Sequence, residues 1–478
     1  MIEWFVVHNN PFQGGDWQPI ALGASVPLAP ADAKRVGFVS LGCPKNLVDS
    51  EVMLGTLKRR GHHIATDMAS ADVLVVNTCA FIDRAKKESI DTVLEMAKLK
   101  AESPDGVQRR LIVTGCLAER HDADLRRDIP EIDATLGTGQ IPEIIAAVEG
   151  FSTVVDRTTK RPEWIYDADS PRLQSTASHT AVVKISEGCD YTCTFCIIPT
   201  LRGLHRSRQP EDIEREVRRL AAQGVKEIVL VAQDSTRYGL DLGRRGDLAP
   251  LLRRLGAIDS VRWIRVMYAY PATVTDDILD AIASEERVVK YVDMPLQHAS
   301  DAVLKRMKRP TGKGNLLGMV ERVRNRVPGV AFRTTFIVGF PGETDDDFKQ
   351  LTTFVEQAEF DHLGVFTYSD EERTAAFGLE GQLPAKVKKA RQSELMQIQK
   401  RISLKRNKAR VGQRVEVLVE GPHPDTDLLL VGRLSSQAPE IDGSVLISDP
   451  GEMPPGRGEF VTCEITKAHA YDLEVRVV

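Results

Sequence analysis

Cys189, Cys193 and Cys196 stand in the stretch Cys-Asp-Tyr-Thr-Cys-Thr-Phe-Cys, with three and then two residues between successive thiols. Three thiolates at this spacing can hold three irons of a four-iron, four-sulfur cluster. Such clusters are ordinarily closed by four cysteines, so a set of three leaves one iron open to a substrate or cofactor. The alternative is a structural zinc site. Zinc sites of that kind take four ligands, no fourth lies nearby, and Cys-x3-Cys-x2-Cys is an unusual zinc spacing. A β-like run, Ala181 to Ser186, and then Glu187-Gly188 lead directly into the first cysteine.

A second set is dispersed in sequence. Three short apolar runs each end in a cysteine: Val36 to Leu41 before Gly42-Cys43, Val73 to Val76 before Asn77-Thr78-Cys79, and Leu111 to Val113 before Thr114-Gly115-Cys116. Helical patterns separate them, at Ser50 to Arg60, Ala85 to Lys100 and Ala118 to Arg127. Alternating strands and helices predict a doubly wound parallel sheet over residues 34–163. Ligands of such sheets bind beyond the carboxyl ends of the strands. One cysteine at a strand end is usually a small buried hydrophobe. Three in equivalent places would converge on one edge, as a second three-thiol site with an open iron.

The elements that must position the first set follow a polar linker at residues 164–179. Residues 180–377 offer six β-like runs: Ala181 to Ser186, Glu227 to Val231, Trp263 to Tyr268, Tyr291 to Pro295, Phe332 to Val338 and Gly364 to Tyr368. Helical patterns separate most of them. Six repeats predict a partial (β/α)6 TIM-like barrel, since a full barrel has eight. The expected functional positions are the carboxyl ends of these strands. There stand Cys189 to Cys196, Gln233 to Gly239, Gln297-His298, and the loop Gly339-Phe340-Pro341-Gly342-Glu343. Glycines allow close backbone approach to a ligand. Arg202, His205, Arg206 and Arg208 form a basic cluster that suits a carboxylate, or else is a solvated loop. Lys305, Arg306, Lys308 and Arg309 read as an exposed face.

A basic helix, within residues 378–410, reads by default as a solvated face. Residues 411–478 give five short strands joined by Gly, Pro and Asp turns, the pattern of a small antiparallel β-barrel. That module holds twelve acidic residues against five basic ones, a net charge of −7. Such a surface repels phosphates and attracts a basic partner. Cys463 lies in one of its apolar strands and reads as structural.

The whole chain has 478 residues, which predicts two or three domains. It is 42% hydrophobic and 27% charged, with a net charge of −5, so no overall nucleic-acid footprint is present. No apolar run is long enough to span a bilayer. The first residues lack the pattern of a signal peptide, and residues 1–33 read as an extended, poorly ordered lead-in. Seven cysteines, an odd number outside a disulfide-dense context, favour reduced, metal-binding thiols in the cytoplasm.

Over nearly its whole length the chain resembles the methylthiotransferases of the radical S-adenosylmethionine (SAM) superfamily. The resemblance is carried by Cys189 to Cys196, Ser40 to Glu51, Val231 to Gly239, Asp293 to His298, Arg333 to Thr344, Phe366 to Glu372 and, in the last module, Gly432 to Glu440. That last module then corresponds to a TRAM barrel. The nearest branch is the one that modifies a ribosomal protein. The tRNA-modifying branch typically has Gln-Met-Asn where this chain has Pro44-Lys45-Asn46.

The resemblance implies two 4Fe-4S clusters, one on Cys43, Cys79 and Cys116 and one on Cys189, Cys193 and Cys196, the latter also catalytic. It implies SAM as methyl donor and radical source, with SAM contacts expected from Gln233, Gln297, Gly339, Glu343 and Arg206. The implied substrate is the β-carbon of an aspartate in small-subunit ribosomal protein S-twelve. An electron donor and a sulfur source complete the partners, and tRNA and membranes are not among them. The rival readings are a tRNA adenosine methylthiotransferase and an iron–sulfur scaffold or electron carrier.

Overall fold

A computed structural model describes residues 33–103, 108–151, 161–244, 246–310 and 316–478. The expected lead-in lies outside these residues except for Ala33.

The amino-terminal domain is a five-stranded sheet of β1 (Arg35–Ser40), β2 (His63–Ile64), β3 (Val73–Thr78), β4 (Arg110–Gly115) and β5 (Ala134–Leu136). Their order is β2-β1-β3-β4-β5 and every pairing is parallel. A parallel sheet is covered on both faces, which is why all six residues of β3 are buried. Helices Pro44–Arg60, Asp83–Ala101 and Cys116–Asp128 follow β1, β3 and β4. The order reverses between β1 and β3, the switch point where doubly wound sheets bind ligands.

Residues 164–179 connect the domains as a buried strap. Tyr166, Arg172 and Leu173 are buried, and Arg172 joins Glu51 of the first domain at 2.5 Å to Glu216 of the second at 2.7 Å.

The central domain contains β6 (Thr180–Lys184), β7 (Ser186–Glu187), β8 (Arg206–Ser207), β9 (Glu227–Val231), β10 (Trp263–Val266), β11 (Tyr291–Asp293), β12 (Ala331–Val338) and β13 (His362–Thr367). Two parallel ladders form, β10-β9-β6 and β11-β12-β13. Backbone contacts from Ile264 to Val288 and from Ala269 to Asp293 join them. This is the six-stranded partial barrel expected. β6 and β13 are its outer strands, unpaired on their far sides among the described residues. The short antiparallel pair β7–β8 brackets the Cys189–Cys196 loop.

Helix Ala385–Lys408 packs on β13 through Leu395, Ile398 and Ile402. Most of its basic side chains face solvent, as expected; Arg391 is buried.

The last module closes as a barrel of β14 (Arg414–His423), β15 (Thr426–Arg433), β16 (Val445–Asp449), β17 (Phe460–Ala468) and β18 (Leu473–Val477). It departs from the all-antiparallel expectation at one seam, where β16 and β18 pair in parallel. Cys463 is fully buried in its core. The Arg433–Asp442 segment plugs the amino-terminal end of the central barrel. Arg433 meets Glu227 at 2.5 Å, Tyr291 donates to Asp442 at 2.7 Å, and Arg265 donates to the Ser435 carbonyl at 2.9 Å. The plug leaves the carboxyl end of the barrel facing the amino-terminal domain.

Candidate iron–sulfur and cofactor site

Cys79 and Cys116 directly follow β3 and β4, and Cys43 stands three residues beyond β1; the three strands are neighbours in the sheet, so the cysteines stand at one edge. Glycines set the turns. Gly42 has φ +96°, and a Cβ there would lie 3.2 Å from the Cys79 sulfur. Gly115 has φ +92°, where a Cβ would strike Asn77 Oδ1. Asn46 donates to the Leu41 carbonyl at 2.6 Å, and Asn77 donates to Asn46 O at 3.0 Å and Ser50 Oγ at 2.8 Å. These bonds fix β1, β3 and the first helix as one frame. Burial raises the Cys79 and Cys116 thiols, and for Cys79 the neighbouring thiols add to the rise. Three thiols grouped in this way need a cationic centre to be held as thiolates.

The second set lies on a loop tied at both ends. Cys189 N donates to Gly203 O at 3.0 Å, and Thr194 N donates to Met307 O at 3.1 Å. Gly188 has φ +82°, and a Cβ there would sit 2.0 Å from the Leu204 carbonyl oxygen. Tyr191 stacks on Tyr270 at 4.0 Å and donates to Asp234 at 2.9 Å. Burial pushes Cys189 up to about 11 and Cys196 up to about 12. Backbone N–H groups of Tyr191 and Ile198 bond their sulfurs and favour the thiolates. Among the described residues no three His, Cys, Asp or Glu side chains converge on one point as a single ion requires.

A buried ionic network ties the amino-terminal site to Glu187, in the segment that leads into Cys189. Arg202 donates to Asp49 at 2.6 Å, Glu187 at 3.1 Å, Asn46 at 3.0 Å and the Cys116 sulfur at 3.6 Å. Lys184 completes it with Asp49 at 2.6 Å and Glu187 at 2.5 Å. Burial alone would raise Glu187, but Lys184 and Arg202 hold its carboxyl well below the usual range. From the amino-terminal side, Lys45 places its ammonium 3.2 Å from the centroid of the Tyr268 ring, just beyond β10. Burial pushes this ammonium below its usual range, opposed by Cys43 and Glu187. At the rim, Glu371 of the central domain pairs with Arg120 at 2.6 Å and Lys86 at 2.9 Å. The carboxyl edges of the two sheets thus face each other.

The family models match in the same three parts: "Uncharacterized protein family UPF0004" at residues 35–137, "Radical SAM superfamily" at 183–355 and "TRAM domain" at 411–478. Two curated relatives carry the name ribosomal protein uS12 methylthiotransferase RimO. The one from Solibacter usitatus is 50% identical over 92% of this chain and 94% of its own length. The one from Myxococcus xanthus is 50% identical over 93% and 92%. The chain belongs to the RimO family of radical SAM methylthiotransferases. Among solved structures, the radical SAM methyltransferase TsrM from Kitasatospora setae aligns with a TM-score of 0.51 at 14% identity. It covers 70% of this chain and 75% of its own, a likeness of fold alone. Membership of the radical SAM superfamily implies SAM and a 4Fe-4S cluster.

The expected SAM residues fall into two groups. Gln233 and Gln297 stand at the carboxyl ends of β9 and β11. Gln233 donates to Glu187, and its Oε1 is buried without a partner among the described residues, an acceptor that fits the SAM ammonium. Gln297 has φ +72° and bridges to β12 through its backbone. Gly339, at φ +74°, ends β12. The other two spend their polar groups internally. Glu343 accepts from Gly339 N at 2.5 Å, Phe340 N at 3.2 Å and Arg391 at 2.6 Å. Its carboxylate therefore positions the glycine loop. Arg206 donates to the carbonyls of Arg202, Leu204 and Trp164.

The basic cluster around it is neither a solvated loop nor a free anion clamp. Arg202 and Arg208 are buried ion-pair partners, the latter of Glu216 at 2.6 Å and Asp212 at 2.7 Å. Arg309, read as part of an exposed face, is half-buried beside the cluster loop. It lies over the Tyr270 ring at 4.2 Å and 3.9 Å from the Cys193 sulfur. Its neighbours Lys305, Arg306 and Lys308 are exposed, as expected.

Proposed function

We propose that Cys43, Cys79, Cys116 and Cys189, Cys193, Cys196 each hold a 4Fe-4S cluster, and that the enzyme adds a methylthio group to the β-carbon of an aspartate of ribosomal protein uS12. The opposed carboxyl edges of the two sheets, tied by Arg202 between Asp49, Cys116 and Glu187, carry the reading, because a carbon radical must meet its sulfur donor at close range. When bound, SAM and the clusters would supply the methyl group and the hydrogen-abstracting radical. The chain's own residues do the rest. The cysteines are the ligands, and Gly188 and Gly203 let the loop bend. Tyr191, Tyr270 and Arg309 wall the core site, and the Gly339 loop, held by Glu343, offers backbone to SAM. The opposed sheet edges and the Glu371 contacts restrict water, which a reactive radical requires.

The TRAM module's exposed Asp425, Asp449, Glu452 and Glu459 suit a basic ribosomal protein better than RNA. An external electron donor and a sulfur source complete the reaction, and a ribosomal substrate fits a cytoplasmic enzyme. The test is anaerobic incubation of the reconstituted enzyme with SAM, a reductant and a uS12 peptide, read by mass spectrometry. Methylthiolation of the peptide at aspartate is expected. Modification of tRNA with none of the peptide would overturn it.

A further inference from the structure

Lys45 is a cation in an expensive place. It is buried, with 8% of its surface exposed. It lies in the first turn of helix Pro44–Arg60, where the helix dipole disfavours positive charge. Among the described residues its ammonium has no hydrogen bond and no ion pair. Its closest companion is the face of Tyr268 at 3.2 Å. Buried charges are paired unless something else requires them. Every other deeply buried cation around it is paired: Lys184 and Arg202 with Asp49 and Glu187, and Arg333 with Asp293 at 2.8 Å. Tyr268 is itself unusual, a non-glycine residue at φ +63°, a conformation that surrounding structure must impose. Its main-chain N–H is held by Asp293 at 3.0 Å. The site therefore fixes an aromatic face and a spare ammonium two residues from Cys43, on the side facing the central barrel.

We propose that Lys45, held on the Tyr268 ring, is the specificity residue that receives the side-chain carboxylate of the substrate aspartate. The proposal rests on the uS12-aspartate reading above and deepens it. A substrate carboxylate at this place supplies the pairing that the Lys45 ammonium lacks, and the contact sets the β-carbon, one bond from the carboxylate, next to the amino-terminal thiol site. An asparagine or alanine in the same peptide leaves the cation unpaired, so the site discriminates by charge. A charge-assisted hydrogen bond of this kind corresponds to about ten- to hundredfold in affinity.

The experiment uses the anaerobically reconstituted holoenzyme and a fluorescein-labelled uS12 peptide, with aspartate or asparagine at the modified position. Binding is read by fluorescence anisotropy for wild type, Lys45→Met and Lys45→Arg, with iron content measured on each. Wild type is expected to prefer the aspartate peptide by at least about tenfold. Lys45→Met is expected to bind both peptides alike, with the asparagine affinity and the iron unchanged, and Lys45→Arg to restore part of the preference. A wild-type preference retained in Lys45→Met would overturn the assignment. So would an equal loss for both peptides, a parallel loss of iron, or no preference in wild type. Mass spectrometry of the same wild-type mixtures separates the two readings. Absence of methylthiolation counts against the uS12 function itself, whereas normal wild-type methylthiolation with an unchanged preference in Lys45→Met counts against Lys45 alone.

Discussion

Replacing Arg202 with alanine removes one of two cations from a buried cluster of two cations and two carboxylates. Lys184, Glu187, Asp49 and Arg202 have side-chain exposures of 1–4%, so solvent cannot screen what is left. Asp49 and Glu187 would then share Lys184 alone, one net negative charge in the interior. Stripping one partner from a buried pair costs about 3–5 kcal/mol, a large part of the roughly 5–15 kcal/mol that holds an ordinary domain folded. Arg202→Lys keeps the charge but cannot reach both carboxylates, Asn46 and Cys116 together, and should cost about 1–3 kcal/mol through lost hydrogen bonds. A chain of several domains does not unfold in one step, so the assay is native-state hydrogen exchange of segments 44–60 and 198–202 in the metal-free protein. The decisive variant is Asp49→Asn with Arg202→Ala. Removing the orphaned charge should recover at least about 1 kcal/mol relative to additivity. Additive costs, or a cost for Arg202→Ala below about 1 kcal/mol, would show that the network is not the buried charge balance described.

Acid should undock the TRAM module. Burial would raise Glu420, yet His179 and Arg433 hold its carboxyl at about 2. Its contribution is thus present above the ordinary carboxylate range near pH 4.5 and is lost as pH falls towards about 2. Hydrogen exchange of the 433–442 plug should accelerate over that window in wild type, and Glu420→Gln should flatten the response. Gly188→Ala forces a Cβ onto the Leu204 carbonyl and should empty the Cys189–Cys196 site while leaving iron at the other, read by iron analysis and paramagnetic resonance. Arg309→Ala removes the cation beside Cys193 and Tyr270. It should shift the redox potential of the core site downwards without loss of iron, and an unchanged potential would count against the contact.

Much of this site was legible because strand ends announce themselves. The run Val73 to Val76 has no period because it is buried on both faces, and Cys79 follows it just as Cys43 and Cys116 follow their own runs. The two short strands β2 and β5 gave no comparable signal. Cations were read poorly. Arg202 lies among other basic residues and looks solvated, while its partner Asp49 is 153 residues away. Arg309 shares a basic stretch with three exposed neighbours, and only the fold turns it inward. Glu343 sits in a glycine loop that suggests ligand contact, and its partner Arg391 is 48 residues further on, in a helix most of whose other charges face solvent. The parallel β16–β18 seam comes from barrel closure, which no local pattern encodes. Residues 164–179 read as polar because the charges that bury them, Glu51 and Glu216, lie in two other segments.

The central claim is that the chain builds two independent three-thiol cluster sites facing one another. The most direct measurement is iron content with paramagnetic resonance, after anaerobic reconstitution, of wild type and of two triple variants, Cys43→Ala/Cys79→Ala/Cys116→Ala and Cys189→Ala/Cys193→Ala/Cys196→Ala. About eight irons in wild type and about four in each variant, with a surviving cluster signal in both, is the result predicted. About four irons in wild type, or loss of all iron in either variant, would contradict it.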